Sequence, residues 1–98
     1  MQKEASEDVL TGLYNRKYGI DLIKKELKSG TKYAFMIMDI DNFKALNDIY
    51  GHSEGDSILQ FIAIHLKNTF RTNSIILRLG GDEFIIFLNK FLDENIIR

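Results

Sequence analysis

The sequence predicts an α/β fold, in which helices pack on a mixed β-sheet. A continuous apolar run at residues 33–38 predicts a buried strand. A helical pattern follows it, and two more strand-like runs then flank the glycine pair Gly80-Gly81. Strand, helix and strand in this order favour a right-handed crossover within one sheet. The glycine pair adds an antiparallel neighbour, because tight hairpin turns need positive φ angles.

Length and composition limit the classes of protein that this chain can form. Its 98 residues make at most one domain. The net charge of −1 gives no bulk attraction to nucleic acid or to an anionic membrane, so we expect contact with neither. The sequence has no Cys, which excludes disulfides and thiolate metal sites. No apolar run reaches the ~18 residues that span a bilayer and no signal peptide opens the chain, which predicts a cytoplasmic protein.

The first part of the chain divides into a polar start, a turn and a helix. Residues 1–7 show no apolar period and are interpreted as a linker or disordered start, so that the domain covers residues 8–98. Apolar residues spaced three and four apart predict a helix over residues 15–27. Asn15 suits its N-cap, and Ser29-Gly30 is expected to end it.

The strand predicted at residues 33–38 ends in an abrupt change from apolar to acidic residues. Its unbroken apolar run predicts a central strand buried on both faces. Asp39, Ile40, Asp41 and Asn42 follow it directly. Open α/β sheets place ligands at the ends of such strands. The alternative is that Asp41 and Asn42 simply cap the next helical turn.

A turn cluster and a second helix occupy the middle of the chain. Residues 47–56 carry two glycines and predict a turn. Apolar residues on one face predict a helix over residues 55–69, for which Ser53 is a possible cap. His65 borders that apolar face and is interpreted as a packing residue. Residues 91–98 are expected to begin a further helix.

The predicted hairpin brings a second pair of acids to the sheet. Asp82 and Glu83 follow the glycine turn, where a ligand can approach the backbone closely. If their strand neighbours residues 33–38, these carboxylates converge with Asp39. Converging carboxylates repel one another unless a cation neutralises them. Oxygen ligands without His or Cys suit Mg²⁺ or Mn²⁺, which predicts metal-assisted phosphoryl transfer; the alternative is a solvated acidic loop.

Four blocks of the sequence occur in the order of one known family. Residues 80–84 spell GGDEF, and residues 8–16, 38–44 and 47–56 resemble that family's opening, phosphate-binding and guanine-binding segments. On these residues the chain resembles the GGDEF family of diguanylate cyclases, and the resemblance covers nearly the whole chain. It implies a ferredoxin-like, nucleotide-cyclase-like mixed sheet with helices packed on it, incomplete here at its C-terminal end.

The resemblance implies a diguanylate cyclase, which condenses two GTP molecules into cyclic di-GMP and releases pyrophosphate. Two copies of the domain face each other as a homodimer, and each binds one GTP. The implied ligands for Mg²⁺ or Mn²⁺ are Asp39, the Ile40 carbonyl, Asp82 and Glu83. The implied catalytic residues are Asp82 as the base for the 3′-hydroxyl, Glu83, and Lys44, which offsets charge in the transition state.

The implied substrate contacts lie in three short segments of the chain. They are Asn42, Phe43, Gly80 and Gly81 around the nucleotide, and Asn47 and Asp56 at the guanine base. A carboxylate can accept hydrogen bonds from both the N1–H and the amino group of guanine. Adenine has no donor at N1, so an Asp at this position rejects ATP. From the residues alone, a turn-forming Asn47 and a first-turn helix acid at Asp56 are the simpler interpretations.

Two departures from the family pattern give further expectations. The family's inhibitory product site has the form Arg-x-x-Asp, and here Arg71 is kept while Ser74 replaces the Asp. We expect product inhibition through this degenerate site to be weak or absent. The family's domain is longer, so we expect this chain alone to be a poorly active fragment. The alternative function is a non-catalytic module that binds GTP, cyclic di-GMP or another protein.

Overall fold

The structure describes residues 5–30 and 32–89 of the chain, and these residues form three helices and three strands. The structure is a computed structural model. Its elements are α1 (Arg16–Lys28), β1 (Tyr33–Asp39), α2 (Phe43–Tyr50), α3 (His52–Thr69), β2 (Ser74–Gly80) and β3 (Glu83–Asn89). The predicted α/β class is confirmed, while the helix expected at residues 91–98 lies outside the described residues. Within the described ranges, no helix is long and apolar enough to cross a membrane.

Helix α1 forms as its local sequence predicts. The Asn15 side-chain oxygen accepts a hydrogen bond from the Tyr18 N–H at 2.8 Å, which confirms the predicted N-cap. Lysines occupy the last turn, where the helix dipole favours positive charge. Ser29 is the C-cap, so the helix also ends where it was expected to end.

The turn predicted at residues 47–56 is instead the junction of two helices. Helix α2, which begins at Phe43, was not predicted, and α3 begins at His52 instead of at residue 55. Ser53 lies inside α3, so its predicted capping role is wrong; Gly51 takes the N-cap position with a φ of +92°. Glycine adopts that angle at little cost, which lets the chain reverse direction there. The residues of this stretch favour turns by local propensity, so α2 could not be predicted from them. Tertiary contacts override that propensity in the fold.

Strand β3 lies at the centre of the sheet, in the order β1-β3-β2. It pairs with both neighbours in antiparallel orientation, so β1 and β2 run parallel to each other with β3 between them. The prediction that β1 is central and buried on both faces is wrong, since Phe35 and Ile37 of β1 are 46% and 64% exposed. An unbroken apolar run does not distinguish a central strand from an edge strand, because pairing partners come from distant residues.

The apolar core lies on both faces of the sheet. One cluster contains Leu13, Leu59, Ala63, Leu66, Ile76, Phe84 and Ile86. The other contains Ile23, Leu77, Ile85 and Phe87. Residues of β3 alternate between the two clusters, as successive side chains of a strand point to opposite faces. Helices α1 and α3 therefore cover opposite faces of the β2–β3 half of the sheet.

The hairpin between β2 and β3 turns one residue later than the glycine pair predicts. Gly80 still pairs with Glu83, so Gly81 and Asp82 form the turn. Of the two glycines, only Gly81 has a positive φ, at +26°. A register shift between Arg78 and Gly80 precedes the turn. Asp82 therefore stands at the tip of the hairpin, while Glu83 begins β3.

Candidate active site

The end of β1 and the tip of the hairpin meet at one end of the sheet. Asp39 lies opposite Glu83 in the β1–β3 ladder. The next residue, Ile40, donates its backbone N–H to the Asp82 carbonyl at 3.3 Å. The strand pairing on which the predicted convergence depended is confirmed. It places Asp39 opposite Glu83, with Asp82 next to Glu83 at the hairpin tip.

The pKa of Asp39 reflects this crowding of acids. Loss of hydration raises the pKa of Asp39, and the negative charges of Asp82, Glu83 and Asp41 raise it further. A hydrogen bond between the Asp39 and Asp82 side chains acts in the same direction. The fold therefore holds like charges together, and a bound cation would relieve their repulsion.

The oxygens at this point fit a divalent cation that binds together with a phosphate. In the described part of the chain, no three Asp, Glu, His or Cys side chains converge to form a metal site by themselves. Mg²⁺ in proteins is commonly held by one or two carboxylates, with substrate phosphates and water completing its shell. The carboxylates of Asp39 and Asp82, beside the Ile40 carbonyl, are hard oxygen ligands of that kind. The donor set suits Mg²⁺ or Mn²⁺.

Asn42, Phe43 and Lys44 form the junction between β1 and α2. Asn42 has a left-handed backbone with a φ of 57°, and its side chain makes no capping hydrogen bond. The alternative interpretation, that Asp41 and Asn42 cap this helix, holds for the position of Asn42 as the N-cap residue but not for a capping hydrogen bond from its side chain. The first intrahelical hydrogen bond runs from the Leu46 N–H to the Asn42 carbonyl at 3.0 Å. The preceding N–H groups of the helix have no intrahelical partner, and Lys44 beside them is exposed.

Asn47 and Asp56 lie on two helices that pack against each other, α2 and α3. The Asn47 Oδ1 atom is buried and has no hydrogen-bond partner among the described residues. The Asn47 carboxamide lies against Gly55, the residue before the exposed Asp56. An unpaired buried acceptor lowers stability, so a donor from a bound ligand would complete this arrangement.

Arg78, in β2, links the hairpin turn to the N-terminal turn. Its Nε and Nη2 atoms donate to the Gly81 carbonyl at 3.0 and 2.8 Å. Its Nη1 atom donates to both carboxylate oxygens of Asp8, at 3.3 and 3.2 Å. The backbone N–H and hydroxyl of Thr11 donate to the same carboxylate at 3.0 and 2.8 Å. Because Gly81 precedes Asp82, Arg78 restrains the acid at the hairpin tip.

Sequence reasoning did not identify Arg78 as part of the site, nor the contact that Asp8 makes with it. Partial burial alone raises the pKa of Asp8, but hydrogen bonds from Thr11 and the charge of Arg78 outweigh it and lower that pKa. The ion pair joins residues 70 positions apart. Their opposite charges are the one signal in the sequence, and charge alone does not indicate which residues pair.

A cavity of about 570 Å³ lies near the opposite end of β2, between α3 and the N-terminal turn. Tyr14, Lys67, Arg71 and Ser74 contribute to its walls. The Ser74 hydroxyl donates a hydrogen bond to the Phe70 carbonyl, so its one donor is already used by the backbone. The degenerate site predicted at Arg71 thus combines a cation and a cavity with a hydroxyl at position 74 instead of a carboxylate.

Relatives of known sequence resemble the chain over most of its length. A family model described as "Diguanylate cyclase, GGDEF domain" matches residues 5–98. Diguanylate cyclase DosC of Escherichia coli strain K12 is 36% identical over 99 residues, which cover 97% of this chain and 22% of DosC. The uncharacterized protein YhcK of Bacillus subtilis strain 168 is 39% identical over 97 residues, covering 93% of this chain and 27% of YhcK. The chain therefore spans only a minor part of each relative's length.

Solved structures share the fold described above. The GGDEF domain of DgcB from Caulobacter crescentus, in complex with c-di-GMP, has a TM-score of 0.84 at 28% identity, covering 99% of this chain and 57% of that one. Diguanylate cyclase SiaD from Pseudomonas aeruginosa, in complex with its activator SiaC, has a TM-score of 0.82 at 33% identity. The match covers 88% of this chain and 35% of the SiaD chain. The resemblance inferred from four sequence blocks is confirmed, and the chain belongs to the diguanylate cyclase GGDEF domain family.

Proposed function

We propose that this chain forms the nucleotide-binding face of a diguanylate cyclase, which condenses two GTP molecules into cyclic di-GMP. The observation that carries the proposal is the meeting of Asp39 with Asp82 and Glu83 beside the start of α2. Hard oxygen ligands next to unpaired backbone N–H groups are what a triphosphate and its metal ion require. Membership of the family, with a relative named diguanylate cyclase, supports the same reaction.

Asn47 and Asp56 recognise the guanine base in this proposal. The Asp56 carboxylate accepts hydrogen bonds from the N1–H and from one hydrogen of the amino group. The second amino hydrogen is then available to the buried Oδ1 atom of Asn47, which has no partner among the described residues. Adenine offers neither donor, so binding of ATP would leave the carboxylate unpaired.

The proposed reaction joins two nucleotides through two identical transfers. The 3′-hydroxyl oxygen of one GTP attacks the α-phosphorus of the other and forms a new P–O bond. The bond from that phosphorus to the β-phosphate oxygen breaks, pyrophosphate leaves, and Asp82 accepts the hydroxyl proton. The same transfer in the opposite direction closes the ring, so two GTP give one cyclic di-GMP and two pyrophosphates. Each chain binds one GTP, which requires a homodimer with facing sites.

The remaining residues at the site bind and neutralise the phosphates. Asp39, Asp82, Glu83 and the Ile40 carbonyl would hold Mg²⁺ or Mn²⁺, which when bound polarises the phosphate and favours deprotonation of the attacking hydroxyl. Lys44 opposes the negative charge that spreads over the phosphate oxygens in the transition state. Backbone N–H groups of Asn42 and Phe43 donate to the terminal phosphates.

Gly80 and Gly81 border the nucleotide in this proposal. Apart from the chain neighbours, a Cβ built on either glycine would meet no atom of the described residues within 4 Å. The packing of the chain itself therefore does not demand glycine at position 80. The absence of side chains leaves the hairpin backbone open to close approach by a substrate.

Incubation of the purified chain with GTP and Mg²⁺, followed by chromatography of the products, tests the proposal. We expect cyclic di-GMP and pyrophosphate, formed slowly by this chain alone, and no product from Asp82→Ala. The matched control is Asp21→Ala, which removes an exposed carboxylate on α1. Equilibrium binding of GTP and ATP in the same buffer separates binding from turnover. GTP binding without product at any chain concentration would favour the non-catalytic module. Equal affinity for GTP and ATP would contradict the proposal.

A further inference from the structure

Gly55, in the first turn of α3, is buried against the side chains of α2. A Cβ built on Gly55 would lie 2.9 Å from the Asn47 Cγ atom and closer still to its Oδ1. The same Cβ would lie 3.2 Å from the Cζ atom of Phe43. Carbon atoms in contact normally lie about 3.5–4.0 Å apart. The present packing of Asn47 therefore requires the absence of a side chain at position 55.

The reason for glycine differs between Gly55 and Gly51, which stand in the same corner of the fold. Gly51 has a φ of +92° and open space around its missing Cβ, so its backbone conformation accounts for it. Gly55 lies within a regular helix, where glycine is less favourable than alanine. The chain accepts this unfavourable residue where the Asn47 carboxamide approaches the α3 backbone.

We propose that Gly55 is a positioning residue for base recognition: its missing side chain lets the Asn47 carboxamide lie beside Asp56. This inference rests on the proposed function, in which Asn47 and Asp56 bind guanine. Asp56 follows Gly55 directly in the chain, and the Asn47 Oδ1 atom is buried there without a partner among the described residues. Gly55 thus lets the Asn47 amide approach the α3 backbone one residue before the carboxylate that would share the guanine amino group with it.

The effect of a methyl group at position 55 falls mainly on Asn47. The atoms that it would meet first belong to the far end of the Asn47 side chain, which can rotate away. At Gly19 the corresponding Cβ would lie 2.7 Å from the Leu77 Cβ atom, in a fully buried part of the core. Gly55→Ala is therefore expected to displace an amide, whereas Gly19→Ala is expected to weaken the whole fold.

Binding of GTP and ITP to four variants of the full 98-residue chain, in the presence of Mg²⁺, tests the inference. ITP lacks the amino group of guanine, so it removes the donor assigned to Asn47 together with one of the two donors assigned to Asp56. We expect the wild-type preference for GTP over ITP to fall about tenfold in Gly55→Ala, a change that corresponds to one hydrogen bond. Asn47→Ala should lower the preference for GTP over ITP by the same factor. The double variant should lose no more than either single variant, because both changes act on one contact.

Gly19→Ala is the matched control, with an expected lower Tm and an unchanged ratio of GTP to ITP affinity. An unchanged ratio in Gly55→Ala, or additive losses in the double variant, would overturn the inference. If the wild-type chain binds GTP no better than ITP and ATP, the proposed function fails instead. The Asn47 side-chain amide signals in a ¹H–¹⁵N spectrum then decide the positioning role. A shift in Gly55→Ala, with other helix signals retained, supports it, and no shift contradicts it.

Discussion

Asp39 is repelled by neighbouring acids in the folded chain, and the cation of the proposed function would relieve that repulsion. Its crowding with Asp82, Glu83 and Asp41 raises the pKa of Asp39, so the metal-free folded chain holds a proton there more tightly than the unfolded chain. Ionisation of Asp39 at neutral pH therefore lowers the free energy of unfolding. In the proposed function a divalent cation would bind these same oxygens and offset that effect.

Asp39→Asn is expected to raise the Tm of the metal-free protein at neutral pH, because it removes a repelling charge. The gain should disappear as the pH falls below the ordinary aspartate pKa of about 4, where Asp39 is protonated in both the folded and unfolded states. Thermal unfolding in EDTA at a series of pH values measures the effect. Asp21→Asn, on the exposed side of α1, should change the Tm little. A lower Tm for Asp39→Asn at neutral pH would count against the assigned repulsion.

Ser74→Asp is expected to strengthen the binding of cyclic di-GMP at the cavity beside Arg71. The new carboxylate would join Arg71 at the cavity wall and accept hydrogen bonds from a guanine of cyclic di-GMP. Calorimetry with cyclic di-GMP should show affinity at least about tenfold higher than in the wild type, the effect of about 1.4 kcal/mol. Ser74→Ala controls for the lost hydroxyl. If micromolar cyclic di-GMP inhibits the wild type and this inhibition vanishes in Arg71→Ala, then Ser74 does not weaken product binding at the Arg71 site.

At the scale of elements, the N-terminal turn and the β2–β3 hairpin form one connected unit. The Tyr14 N–H donates to a β2 carbonyl at 3.2 Å, and the Arg78 N–H donates to the Tyr14 carbonyl at 3.0 Å. The Arg78 side chain adds the ion pair with Asp8 and holds the Gly81 carbonyl. The position of the acid at the hairpin tip therefore depends on residues at the start of the domain.

Arg78→Ala is expected to lower the free energy of unfolding by about 2 kcal/mol, since charge-assisted hydrogen bonds contribute about 1.5–3 kcal/mol. It should also weaken Mg²⁺–GTP binding, because the hairpin turn loses its restraint. Arg78→Lys should recover only part of both effects, since an ammonium lacks the planar fork that reaches two acceptors. Urea unfolding measures the change in the free energy of unfolding, and titration with Mg²⁺–GTP measures the change in binding. Arg71→Ala, at an exposed position, is the control, and equal stability of Arg78→Ala and Arg71→Ala would refute the role.

The Asp8–Arg78 ion pair also predicts how stability depends on pH. The pKa of Asp8 is lowered in the folded chain, so its stabilisation is complete above the ordinary aspartate value of about 4. That stabilisation should be lost as the pH falls through the lowered pKa. The stability difference between wild type and Asp8→Asn, measured by urea unfolding, should therefore shrink in acid. A difference that is independent of pH would mean that the charge of Asp8 contributes nothing.

At the scale of the whole molecule, the proposed reaction needs two chains. Each chain would contribute one GTP, so the initial rate at low concentration should rise with the square of the chain concentration. Asp82→Ala mixed with the wild type should lower the rate per wild-type chain, because mixed pairs carry one impaired site. Product assays over a dilution series measure both effects. A rate strictly proportional to chain concentration at every dilution would contradict the facing-dimer requirement.

Much of the site could be predicted from the sequence because its signals are local. Asn15 caps α1 within one turn, and the acids after β1 and after the glycine pair are adjacent to the strands that carry them. Such features depend on neighbours within a few residues. The family's short motifs add roles to these residues without any knowledge of their positions in space.

Long-range pairing was decided only by the tertiary structure. The apolar run of β1 favoured a central strand, yet β3 enters between β1 and β2 and takes that place. The Arg78 guanidinium could have met several carboxylates, and packing of the N-terminal turn selects Asp8. Residue types and their spacing thus determined which groups are proposed to form the site. The order of the strands, which depends on contacts between distant residues, decided how those groups come together.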